Sequence, residues 1–80
     1  KEILIELTPR EFELLVYLVE NRNEEKSRED ILSEVWGYDF IGETNLVDVY
    51  IRYLRQKLDK GYRHKLIHTV RGVGYTIKAA

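Results

Sequence analysis

Val47, Ile51, Leu54 and Leu58 recur at intervals of four, three and four, the spacing of a single apolar stripe on an α-helix. Such a stripe must be covered by other elements, and the chain has 80 residues from which to supply them. That length makes one domain, spanning residues 1–80. A chain of this size buries about 60–65% of its unfolded surface, with no room for a second domain or a deep cofactor cleft. It contains no cysteine, so disulfides and thiolate metal sites are excluded and the core alone must hold the fold. Apolar residues at 44% and charged residues at 34% suit a soluble globular domain. No apolar run approaches the ~18–20 residues needed to span a bilayer. Residues 1–7 lack the apolar region of a signal peptide, and a cytoplasmic location is expected.

The remaining elements read from their punctuation. Residues 1–7 alternate weakly and predict a short strand. Thr8-Pro9-Arg10-Glu11 opens a helix: Thr8 caps, Pro9 suits the first helical position, and Glu11 bonds back to the cap. Phe12, Leu15, Val16 and Val19 follow at helical spacing, widened by Leu14 and Leu18, and the helix ends near residues 21–23. Ser27 caps a second helix with Asp30 three residues on; Ile31, Leu32, Val35 and Trp36 form its apolar side, and Gly37 stops it. Residues 37–43 form an aromatic-rich loop. The third helix runs from about Asn45 to Lys60 and stops at Gly61, with Asp48 in its first turn, where negative charge favours the helix dipole. Residues 66–70 and 75–78 pair as a hairpin around Arg71-Gly72-Val73-Gly74, the two glycines permitting positive φ. The order is strand, three helices, hairpin.

Charge is divided along the chain. Residues 1–44 carry 5 Lys/Arg against 12 Asp/Glu, and residues 45–80 carry 8 against 2, so a net of -7 is followed by a net of +6. The basic half is where a polyanion would dock. Opposite the stripe of the third helix lie Asn45, Leu46, Val49, Arg52, Tyr53, Gln56 and Lys60. Asn and Gln pair with adenine, Arg with guanine, and Val touches a thymine methyl in a major groove that admits one helix. Leu46, Val49 and Tyr53 are expected to be exposed there, and Arg55, Lys57 and Lys60 to extend positive charge toward phosphates. Arg71, at the hairpin tip, suits a minor groove. Catalysis finds no support. His64 and His68 have no Cys and no Ser near them in sequence, the carboxylates sit mostly in helical first turns, and Gly72-Val73-Gly74 joins strand to strand rather than opening a phosphate-binding helix. No enzyme activity, cofactor or metal is expected.

Five segments carry a resemblance: Leu7-Thr8-Pro9-Arg10-Glu11-Phe12-Glu13-Leu14-Leu15, Ser27-Arg28-Glu29-Asp30-Ile31-Leu32, Val35-Trp36-Gly37, residues 47–58 and Thr69-Val70-Arg71-Gly72-Val73-Gly74-Tyr75. In this order they resemble the C-terminal effector domains of the OmpR/PhoB family of bacterial two-component response regulators. The resemblance implies an α+β winged helix-turn-helix with three helices and a C-terminal hairpin wing. It implies binding to double-stranded promoter DNA as a tandem homodimer, under control of a phosphorylated receiver domain. Asn45, Leu46, Val49, Tyr50 and Tyr53 match positions that face the major groove. Trp36, Arg52 and Arg55 match positions that support phosphate contacts. Thr69 and Arg71 lie on the wing, Arg71 at the minor groove and Tyr75 as a nearby backbone contact, while the loop over residues 37–44 resembles the segment that meets RNA polymerase. Two departures bear on function. Tyr50 and Tyr53 stand where the family often carries His or Arg, which implies a different base preference and lower affinity. The family's N-terminal four-stranded sheet is represented at most by residues 1–7, and no receiver is present, so the chain is expected to be a fragment. The competing reading is a winged helix that binds protein through the third helix or the 37–44 loop.

Overall fold

The computed structural model of the chain describes residues 6–58 and 66–78. In chain order these residues form α1 (Pro9–Glu20), β1 (Lys26–Ser27), α2 (Arg28–Ile31), which runs on into a π-helical turn (Leu32–Trp36), a short 3-10 turn (Tyr38–Phe40), α3 (Asn45–Leu58), β2 (Ile67–Val70) and β3 (Gly74–Ile77). Of the strand expected over residues 1–7, Glu6 and Leu7 alone are described, and neither is in a strand. The other five residues lie outside the described ones, as do Lys60, Gly61 and His64.

The capping box forms as expected. The Glu11 N–H donates to Thr8 Oγ1 at 3.3 Å, and the Thr8 N–H donates to Glu11 Oε1 at 2.9 Å. The buried face of α1 differs from the expected one. Glu11, Leu14 and Leu18 are buried, whereas Phe12 is 57% and Val19 44% exposed. Six of the seven residues from Phe12 to Leu18 are apolar, so periodicity alone leaves the phase open. The buried phase is the one that places Leu14 and Leu18 in the core and lets Lys57 Nζ on α3 donate to Glu11 Oε1 at 2.6 Å.

Ser27 caps α2 by accepting from the Asp30 N–H at 3.0 Å. The helix then widens, and the Gly37 N–H donates to the Leu32 carbonyl five residues back at 3.0 Å, a π-type bond. In α3 the predicted stripe is the buried one: Val47, Ile51, Leu54 and Leu58 are at most 7% exposed. They pack with Leu14, Leu18, Ile31, Leu32, Ile67, Tyr75 and Ile77 as one core.

The hairpin pairs Ile67 with Ile77, His68 with Thr76, Thr69 with Tyr75 and Val70 with Gly74, leaving residues 71–73 as a three-residue loop. Gly72 takes φ 76° there, a conformation glycine adopts without steric cost. Sequence reading left out the third strand. β1 pairs with the other edge of β3, Lys26 with Tyr75 and Ser27 with Gly74, giving an antiparallel sheet of order β1-β3-β2. With a neighbour on each side, β3 is buried along its whole length. The result is a winged helix-turn-helix: α2 and α3 packed on α1, with the hairpin projecting beside α3. No helix among the described residues is long and apolar enough to cross a membrane.

Candidate nucleic-acid interface

The core stripe of α3 fixes what its other faces present. Asn45, Arg52, Tyr53 and Gln56 are exposed, Tyr53 by 42%. Val49 is half-buried. Leu46, expected in the open, is also half-buried and leans on the core, as does Tyr50, because the start of α3 is packed against the other helices. The apolar surface on this face is therefore smaller than the sequence implied. It is bounded by aromatic contacts: Trp36 meets Tyr50 edge-on at 5.2 Å, and Tyr50 meets Tyr53 edge-on at 5.5 Å. Arg10, whose Nη1 donates to the Val35 carbonyl, lies over the Trp36 ring at 5.4 Å. Trp36 thus packs against both Tyr50 and Arg10. Its neighbour Arg10 escaped the sequence reading because the contact spans 26 positions of the chain.

Three of the residues expected at DNA also make contacts inside the fold. Lys57 reaches from α3 to the buried Glu11 on α1, which pairs its charge. Arg55 Nη2 donates to the Ile67 carbonyl at 3.2 Å and to Thr69 Oγ1 at 2.8 Å. Tyr75 is 5% exposed, and its hydroxyl donates to Asp48 Oδ1 at 2.5 Å. On the wing, Thr69 and Arg71 are exposed. Thr69 accepts from Arg55 through its oxygen and keeps its own O–H to donate outward. Arg71 stands in the tip loop beside Val73, which is 39% exposed. In the loop between α2 and α3, Tyr38 is 80% and Ile41 69% exposed, while Phe40 is half-buried against the core.

Asp48 is more than the dipole partner that its place in the first turn implied. The same Oδ1 accepts from Arg28 Nε at 2.8 Å and from the Tyr75 hydroxyl, joining the start of α2, the first turn of α3 and strand β3. Burial pushes the Asp48 carboxyl up, but the hydrogen bonds from Tyr75 and Arg28 outweigh it and hold the group below its ordinary value of 3.8. Burial and the bond to Asp48 together raise the Tyr75 hydroxyl, which keeps it the donor. Arg28 and Arg55 lie over the Tyr75 ring, at 5.3 and 5.6 Å. No sequence spacing announces a contact among residues 28, 48, 55 and 75. What remains turned outward is a convex surface of amide, guanidinium and phenol groups on α3, flanked by a wing whose tip carries an arginine.

Comparison with known proteins agrees with this geometry. The family described as "Transcriptional regulatory protein, C terminal" matches residues 1–77. The uncharacterized transcriptional regulatory protein YkoG of Bacillus subtilis is 64% identical over 74 residues, which cover 92% of this chain and 32% of YkoG. The chain thus spans about a third of the length of such relatives. Among solved structures, the response regulator DrrB, an OmpR/PhoB homologue from Thermotoga maritima, superposes with a TM-score of 0.80 at 32% identity, over 94% of this chain and 34% of DrrB. The DNA-binding domain of the response regulator AdeR, solved in complex with an intercistronic region, superposes with a TM-score of 0.83 at 25% identity, over 99% of this chain and 79% of AdeR's. The chain belongs to the transcriptional regulatory protein C-terminal family, the winged-helix DNA-binding domains of OmpR/PhoB-type bacterial response regulators.

Proposed function

We propose that this chain reads promoter DNA sequence-specifically, as the output domain of a cytoplasmic two-component response regulator. The observation that carries the reading is the division of α3. Its apolar stripe is fully used by the core, yet Asn45, Arg52, Tyr53 and Gln56 stand exposed in one run beside a wing tipped by Arg71. In this reading α3 enters the major groove. Asn45, Val49 and Tyr53 meet base edges, with Leu46 and Tyr50 contributing their exposed margins, and Arg52 meets phosphate. Thr69 donates to the backbone, and Arg71 enters the adjacent minor groove, where the potential is most negative. Arg55, Lys57, Tyr75 and Trp36 serve by holding these groups in place. AdeR's complex with DNA supports the docking mode by analogy. The exposed Tyr38 and Ile41 suit contact with RNA polymerase. A receiver domain in the same polypeptide and pairing of two copies in tandem on direct repeats complete the proposal.

Selection from a randomised duplex pool, followed by fluorescence anisotropy at two salt concentrations, tests it. Enrichment of a short motif is expected, with affinity falling steeply as salt rises, because neutralised phosphates release counterions. A chain that melts cooperatively yet binds no duplex at low salt would leave the aromatic loop and α3 as a protein-binding surface instead.

A further inference from the structure

We propose that Asp48 and Arg55 clamp the wing at a fixed angle to the reading helix, so that the chain meets both grooves as one rigid reader. This deepens the DNA reading proposed above and rests on it. Asp48 and Arg55 are seven residues apart on α3, two turns and about 10 Å along the axis, on the side that faces the sheet. Each grips one strand of the hairpin. Arg55 holds Thr69 on β2, and Asp48 holds the Tyr75 hydroxyl on β3. Thr69 and Tyr75 are cross-strand partners, so both anchors take hold of the same rung. β1 ties β3 to the start of α2 and the shared core holds the base of the hairpin; against α3, a single side-chain anchor would leave the hairpin freer to roll about its long axis. Two anchors, spaced along the helix and one to each strand, remove that freedom. The rung lies two residues from Arg71, close enough to aim the tip loop. Arg28, which bonds the same Asp48 oxygen, ties the clamp to the start of α2. None of these bonds uses Asn45, Val49, Arg52, Tyr53 or Gln56, which leaves the reading face free.

Asp48, Arg55 and Tyr75 are therefore positioning residues, and sequence preference at the wing depends on them. Tyr75→Phe is the cleanest test: it removes one donor, releases one anchor, and keeps the ring that the two arginines contact. Two measurements apply. Residual dipolar couplings on the free protein report the angle between α3 and the hairpin. Anisotropy on two duplexes, one with the selected core alone and one with its AT-rich flank, separates wing reading from helix reading. The expected result is averaging of the wing couplings with those of α3 unchanged. A loss of about three- to tenfold, the worth of one hydrogen bond, should be confined to the flanked duplex. A Tyr75→Phe chain whose wing couplings match wild type overturns the clamp. So does an equal loss on both duplexes, which is what a merely looser fold would give. Wild type that binds neither duplex removes the DNA reading, and the couplings then still decide whether the clamp holds the wing.

Discussion

Two glycines near the wing tip do different work, and the difference is a matter of single atoms. Gly72 has open space around it and is needed for its φ of 76°. Gly74 has no positive φ; a Cβ there would lie 2.0 Å from the Lys26 carbonyl oxygen and 3.0 Å from the Arg28 nitrogen. These are backbone atoms that cannot rotate aside, so β1 would have to leave β3. The Lys26–Tyr75 and Ser27–Gly74 pairings would go, together with the Arg28 N–H bond to the Val73 carbonyl at 3.3 Å. Gly74→Ala should cost about 2–3 kcal/mol as an overpacked site. Gly72→Ala should cost about 1–2 kcal/mol, the strain of a left-handed alanine. Urea denaturation of both variants checks the order, and a Gly72→Ala chain less stable than Gly74→Ala would contradict the close approach of β1.

The elements differed in how far their own sequence announces them. Both helix starts were legible because Thr8 and Ser27 cap locally, and α3 because its stripe has one phase only. The buried side of α1 was not, since Phe12, Leu14, Leu15, Val16 and Leu18 leave several phases open, and the partners that distinguish them, Lys57 among these, lie on other elements. β1 was illegible for another reason: Lys26 and Ser27 show neither alternation nor β-branching, and they form a strand because Gly74 admits their backbone. The reading face was legible as a list of residue types, but the inward commitment of Arg55, Lys57 and Tyr75 was not, because each finds its partner on another element. Arg71, by contrast, sits at an exposed tip, where local sequence suffices. If the wing acts as an element in its own right, Arg71→Ala should weaken binding by about 1–3 kcal/mol, most strongly on AT-rich flanks with a narrow minor groove. Titration against duplexes differing only in the flank measures this, and undiminished affinity on all of them would take the wing out of the interface.

Two carboxylates hold the molecule together across its acidic and basic halves. Glu11 joins α1 to α3 through Lys57; Asp48 joins α2, α3 and β3. Burial raises each group, but hydrogen bonds outweigh it: from Lys57 and the Thr8 backbone at Glu11, and from Tyr75 and Arg28 at Asp48. Both end below their ordinary values of 4.5 and 3.8. A carboxyl whose pKa is lower folded than unfolded stabilises the fold fully above its unfolded value, and that stabilisation is lost as pH falls through its folded one. The chain should therefore show a level melting temperature near neutrality and a decline that begins at about pH 4–5 and continues below it. Acid should loosen α1 and the wing together, since one carboxylate serves each. Glu11→Gln separates the two contributions. It should melt lower than wild type at pH 7, because Lys57 loses its counter-charge. It should also lose less on acidification, the remaining slope belonging largely to Asp48. Thermal melts of both chains between pH 7 and 3 measure the difference. A Glu11→Gln chain with the acid slope of wild type would mean that Glu11 is not depressed by Lys57, and that the phase of α1 is set by packing alone.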